Sequence, residues 1–301
     1  MHATSSQRHR GSGVASRWIC HALAALALAT VALGGAACSD DGGDDEPNEV
    51  TIVGSEYAFE ITEGELKPGV NTINLRNEGA ADHHMLLFPL DGGMTREEIL
   101  DLVSQEEGAL PEGIPWIGGV GGLAGGRGSS ITVDLDEGEY MLVCVFDDGD
   151  GVTHAEKGME LTVRVEGDAV EAESPEVGVT IEASDYAFSG PETVAAGEVS
   201  IRFDNRGSET HEMLIFELPL PEGFSISDEE LAAIILEEAA PPPELEVDTP
   251  FVGGISPINA GDNQIATMNL EAGTYVLLCF FPTAEGIPHV ALGMLSQIQV
   301  E

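Results

Sequence analysis

EGEYMLVCVFDDGDGVTHAEKGM (137–159) and AGTYVLLCFFPTAEGIPHVALGM (272–294) are one segment written twice. Each opens on an apolar run that ends in a cysteine, Cys144 or Cys279. Nine residues separate it from a histidine, His154 or His289, and four more separate that from a methionine, Met159 or Met294. Outward from these segments the match continues without a gap from Pro115 and from Pro250, an offset of 135. Further upstream, NEGAADHHMLLF (77–88) recurs as NRGSETHEMLIF (205–216), and VTIVGSEYAF (50–59) as VTIEASDYAF (179–188). Self-similarity over this span is the signature of a duplicated unit. The extra residues of the second copy fall around PPPE (241–244). The boundary falls in GDAVEAESPE (167–176), which gives repeats at 49–168 and 177–301 with a linker at 169–176.

Within each repeat, TINLRN, SITVDLD and ELTVRVE, and in the second copy VSIRFDN and QIATMNLE, alternate apolar and polar residues with period two, and glycine or Asn/Asp turns separate the runs. One stretch per copy has helical spacing behind a Thr or Ser cap and an acidic first turn: TREEILDLVSQEEG (95–108) and SDEELAAIILEEAA (227–240). The expected fold class is all-β, two tandem β-sandwiches with one inserted helix each. The paired glycines Gly118-Gly119 and Gly253-Gly254 read as turn or close-packing residues, because neither copy has the lysine or the strand-to-helix context of a phosphate loop.

Beyond residue 37 the chain has five histidines and three cysteines. All but Cys38 and His84 occupy equivalent places in the two repeats: His83, Cys144, His154 and Met159 in the first, His211, Cys279, His289 and Met294 in the second. One thiolate, two imidazoles and a weak axial thioether form the ligand set of a type 1 (blue) copper site. His84 has no counterpart, which makes it a surface residue or a neighbour of the ligands rather than one of them. Cys144 and Cys279 could instead pair as a disulfide, although that leaves the histidines unexplained. Catalysis by either thiol is disfavoured, since both lie in apolar strands with no cationic neighbour in sequence.

At these residues the sequence resembles the cupredoxins, the plastocyanin and azurin superfamily, across both repeats. The resemblance rests on Asn77-x5-His83 with Phe88, on Asn205-x5-His211 with Phe216, and on the two Cys…His…Met loops. It implies Greek-key sandwiches. The loop ending His-x-x-x-Gly-Met, with Gly158 and Gly293, is similar to that of the type 1 domain of copper nitrite reductases. Where an Asn often follows the first ligand, this chain has His84 and Glu212. The implied function is electron transfer with one copper per repeat. A copper sequestration or delivery protein and a metal-free interaction module are the alternatives.

The N-terminus reads as an address. Residues 1–37 carry three arginines and no acid, and an apolar run (19–37) leads through small residues into Cys38. This is the order of an export signal, and it resembles a bacterial lipobox with Cys38 as the lipidated residue. A polar tether at 38–48 follows. The expected location is outside the cytoplasm, anchored to the membrane. Net charge is −43, and loss of the three arginines takes it to −46. Such a field excludes nucleic acid and predicts a redox partner with a basic face, whose association slows as salt rises. No His-x-His pair remains after the signal, and once eight ligands are assigned only His84 is left. On that count a trinuclear copper cluster does not fit within one chain, and the expectation is a protein that is not an enzyme.

Overall fold

In the computed structural model, residues 46–301 are described apart from 92–93, 105–109, 111–112, 222, 244 and 246–248. The signal (1–37), Cys38 and most of the tether lie outside the described residues. The period-two segments are strands. The first repeat runs β1 (Asn48–Ser55), β2 (Ala58–Glu63), β3 (Gly69–Asn77), β4 (His83–Pro89), α1 (Arg96–Val103), β5 (Gly119–Leu123), β6 (Gly128–Leu135), β7 (Gly138–Val143) and β8 (Glu160–Val165). The second runs β9 (Val179–Ser184), β10 (Ala187–Ser189), β11 (Thr193–Val194), β12 (Gly197–Asn205), β13 (His211–Leu218), α2 (Asp228–Ile235), β14 (Phe251–Ile258), β15 (Asn263–Leu270), β16 (Gly273–Leu278) and β17 (Leu295–Val300). Both helices fall in the segments with helical spacing. Each starts with a capping box, Thr95 with Glu98 and Ser227 with Glu230. Among the described residues no helix is long and apolar enough to cross a membrane.

Strand β4 explains why a continuous apolar run and not an alternating one follows the first histidine. Met85 and Leu87 face the core between the sheets, while Leu86 and Phe88 face outward onto Ile99 and Leu102 of α1. Both faces of the strand are therefore covered. Strand β13 repeats this, with Leu214 and Phe216 against Leu231 of α2. Each cysteine strand is anchored at its start by a buried tyrosine. Tyr140 Oη donates to the Asp136 carbonyl and Tyr275 Oη to the Glu271 carbonyl, both at 3.1 Å.

The two repeats share both sheets. One sheet has the order β10-β9-β12-β15-β6-β3-β1-β2 and the other β11-β17-β16-β13-β14-β5-β4-β7-β8. Each repeat supplies four strands to the first sheet and four to the second in the same internal order, the second repeat adding β11 at one edge, and the two sets join by antiparallel pairing of β15 with β6 and of β14 with β5. A single apolar core with residues of both repeats runs between the sheets. Side chains reinforce the seam: Ser256 Oγ donates to the Val120 carbonyl at 3.0 Å, the Gly119 amide donates to Gln264 Oε1 at 3.1 Å, and Arg127 pairs with Glu217 at 2.8 Å.

The glycine pairs sit at this seam and pack closely, as the sequence indicates. Gly119 (φ 139°) and Gly254 (φ 114°) hold backbone that L side chains rarely adopt. A Cβ on either would strike the carbonyl of the preceding ligand strand, Met85 or Met213. Gly119→Ala and Gly254→Ala should each destabilise the fold by about 2–4 kcal/mol, from strain plus overpacking. Chemical unfolding measures this, and a loss below ~0.5 kcal/mol would contradict the seam geometry.

Candidate metal centres

In each repeat three donor atoms from three parts of the chain meet. His83 opens β4, Cys144 follows the last residue of β7, and His154 comes from the loop before β8. His83 Nδ1 lies 3.1 Å from His154 Nδ1. Cys144 Sγ lies 3.5 Å from His154 Nδ1 and 4.0 Å from His83 Nδ1. A point equidistant from the three atoms is about 2.1 Å from each, a bonding distance for a first-row metal to nitrogen or sulfur. In the second repeat His211 Nδ1 and His289 Nδ1 are 3.0 Å apart and Cys279 Sγ is 3.4 Å from His289 Nδ1, with all three donors within 4.8 Å. Among the described residues these are the two groups that could hold a metal ion. Two imidazoles and a thiol suit copper. Both cysteines are free thiols, each inside its own cluster, which removes the disulfide alternative.

The loop geometry behind this convergence is the same in both copies. The Ala155 amide donates to the Cys144 carbonyl (2.8 Å), His154 to Phe146 (2.7 Å), Met159 to His154 (2.7 Å) and Cys144 to Met159 (3.2 Å). The corresponding bonds of Val290, His289, Met294 and Cys279 measure 2.8, 3.0, 3.0 and 3.3 Å. The first ligand is placed by the Asn turn. Asn77 Oδ1 accepts from the Gly79 amide, and its Nδ2 donates to the carbonyls of Ala81 and of Leu123 on β5. Asn205 makes the same three bonds, to Gly207, Glu209 and Ile258. Met159 and Met294 are fully buried at the ends of their loops.

After the first ligand the ladder with β5 or β14 slips register, between His83 and Met85 and between His211 and Met213. At this point the amide of His84 or Glu212 lies 3.5 Å from the cysteine sulfur. The backbone thus supplies the sulfur contact whatever side chain stands there. His84 is buried and not on the surface. Its Nδ1 sits 3.4 Å from Cys144 Sγ, and its ring stacks on Phe146 with centroids 4.2 Å apart. Glu212 is also buried and accepts from the Phe280 amide at 2.8 Å.

The sequence reading missed the carboxylates behind the imidazoles. His154 Nε2 meets Asp148 at 2.9 Å, His211 Nε2 meets Asp185 at 3.0 Å, and His289 Nε2 meets Glu209 at 3.0 Å. Tyr57 donates to Asp148 and Tyr186 to Glu209. The repeated EYAF and DYAF (56–59 and 185–188) were the available signal.

Burial sets the protonation states. It pushes the Cys144 thiol up to about 12 and Cys279 well above its ordinary value. It holds His83 down to about 4, with the His154 neighbour adding to the effect, and lowers His211 and His289. At pH 7 the first cluster is therefore a thiol and a neutral imidazole beside His154. Metal uptake has to displace the thiol proton. For the first site, isolated as Cys279→Ser, copper affinity should tighten about tenfold per pH unit between pH 6 and 8. Competition titrations check this, and a pH-independent affinity would contradict thiolate ligation. Asn77→Ala and Asn205→Ala should each cost about 2–4 kcal/mol of unfolding free energy, since each strands buried partners. A denaturation midpoint equal to wild type would show that the turn does not place the ligand.

No protein-family model and no curated protein matches the chain. Solved structures similar to it include auracyanin A, a "blue" copper protein from Chloroflexus aurantiacus, at 21% identity over 40% of this chain and 100% of that one, with a TM-score of 0.31. They also include a Cu-containing nitrite reductase from Thermus scotoductus, at 14% identity over 85% of this chain and 61% of that one (TM-score 0.23). A third is a blue copper oxidase from Nitrosomonas europaea, at 14% identity over 84% of each chain (TM-score 0.21). Likeness at this level concerns the fold. It nevertheless corrects the expectation that the chain is not an enzyme, because a reductase and an oxidase stand among the similar structures. Counting histidines in one chain leaves out ligands that another copy could contribute, so the count does not separate carrier from enzyme. Two repeats of one sandwich plan each close a His, Cys, His cluster that fits type 1 copper.

Proposed function

We propose that the protein is a two-copper electron-transfer protein built from two Greek-key cupredoxin sandwiches. The observation that carries this reading is the matched pair of buried clusters, in which two Nδ1 atoms and one Sγ face a common point. Copper bound there supplies a one-electron couple. Cys144 and Cys279 would provide the soft thiolate, His83, His154, His211 and His289 the imidazoles, and Met159 and Met294 the thioether sulfurs. The chain's part is to hold these groups still and dry. The loop hydrogen bonds and the Asn turns fix the donors, and all six His and Cys ligands are at most 1% exposed. Burial of this depth favours electron exchange over delivery of the metal, because a recipient protein could not reach the ligands.

The address at the N-terminus supports an extracytoplasmic protein held at the membrane through a lipidated Cys38, facing a partner with a basic surface. The acidic ligand-loop residues Asp147, Asp148 and Asp150 add to that charge near the first site.

Loading the soluble fragment with Cu(II) should give an intense blue colour and about two copper per chain. Cys144→Ser and Cys279→Ser should each remove about half of the colour. Colourless binding of Cu(I) alone would favour sequestration or delivery. Absence of copper uptake would leave the interaction module.

A further inference from the structure

The two clusters match in their donors and differ in what stands behind them. In the second repeat both imidazoles are backed by carboxylates, His211 by Asp185 and His289 by Glu209. No cation sits with that pair: the position equivalent to Lys157 is Leu292, and neither Asp185 nor Glu209 has an ion pair with Lys or Arg among the described residues. In the first repeat only His154 is backed, by Asp148, and that carboxylate is shared with Lys157 at 2.9 Å, which also reaches Asp150 at 3.0 Å. His83 Nε2 is buried and has no hydrogen-bond partner. The residue at Asp185's place, Glu56, spends its carboxylate on the amides of Ala80 and Ala81. Ala81 stands where the second repeat has Glu209.

We propose that the two sites form an ordered pair, in which copper in the first repeat holds an electron in preference to copper in the second. The proposal rests on the copper reading above. A carboxylate behind an imidazole pushes electron density onto the nitrogen that faces the metal. Its negative charge also stabilises the more highly charged ion, and in a buried site that Coulomb interaction is weakly screened. Both effects favour Cu(II) over Cu(I). They act twice in the second repeat, and once in the first, where Lys157 offsets the charge. An electron that reaches the second site passes to the first: Cu(I) is oxidised in one repeat, Cu(II) is reduced in the other, and no bond forms or breaks. The shared sheets hold the two sites in one frame across which this exchange runs.

A redox titration of the copper-loaded chain, followed by the blue absorbance, tests the ordering. Two one-electron steps are expected, with at least a tenfold preference for the first site, equivalent to 59 mV for a one-electron couple. Asp185→Asn or Glu209→Gln should raise the lower step and leave the upper one in place. Lys157→Met should lower the upper step and leave the lower one. These variants keep every ligand, and the wild-type titration by itself shows whether the two steps are separate. A single step at one midpoint, or Asp185→Asn moving the upper step, would overturn the ordering and leave the copper reading intact. A chain that takes up no copper would overturn both.

Discussion

Everything in this molecule turns on bringing a thiol and two imidazoles together where water cannot reach them. Burying such groups without strong partners is unfavourable, and removing water raises the free energy of every charge placed there. The chain meets that cost with structure around the cluster. The cysteine directly follows a strand buried on both faces, the loop after it is pinned at four backbone hydrogen bonds, and an asparagine turn sets the opposing histidine. The result is a set of donors already at bonding separation from a common point, so little rearrangement accompanies binding. A site held this way is suited to passing an electron, since neither oxidation state can impose its own preferred geometry on the protein.

Duplication gave two such sites, and fusion of the sheets fixed their relation. Because β5 pairs with β14 and β6 with β15, the repeats do not behave as beads on a string: they share one core. The glycines at the seam are there because the ligand strands β4 and β13 pair directly beside the seam strands β5 and β14, leaving no room for a Cβ. The outer surroundings of the ligands then diverged. Tyr57 and Tyr186 do the same work in both copies, each orienting a carboxylate against a ligand. That carboxylate comes from the ligand loop in one repeat and from the turn before the first histidine in the other.

Much of this was legible in the sequence, for identifiable reasons. The cysteine, histidine and methionine spacing repeats in register, so the donor set and the duplication could be read together. Period-two alternation marked the strands, and the capping residues marked both helices. Three features were not legible. The shared sheets depend on edge pairing between distant strands, which leaves no local pattern. The carboxylates behind the imidazoles come from non-equivalent positions, so aligning the repeats hides Asp148 and Glu209. For His84, unmatched in the other copy, the sequence left the surface and a place beside the ligands both open, and its ring lies against the sulfur of Cys144. The histidine count, sound within one chain, did not set an electron carrier apart from an enzyme.

The central claim is that each copper is bound by one cysteine sulfur and two imidazole nitrogens. X-ray absorption at the copper edge of the loaded protein tests it most directly. The account predicts one short sulfur and two nitrogens per copper, at about 2.1 Å as the donor triangle requires. Copper coordinated by nitrogen and oxygen alone, with no sulfur scatterer, would contradict it.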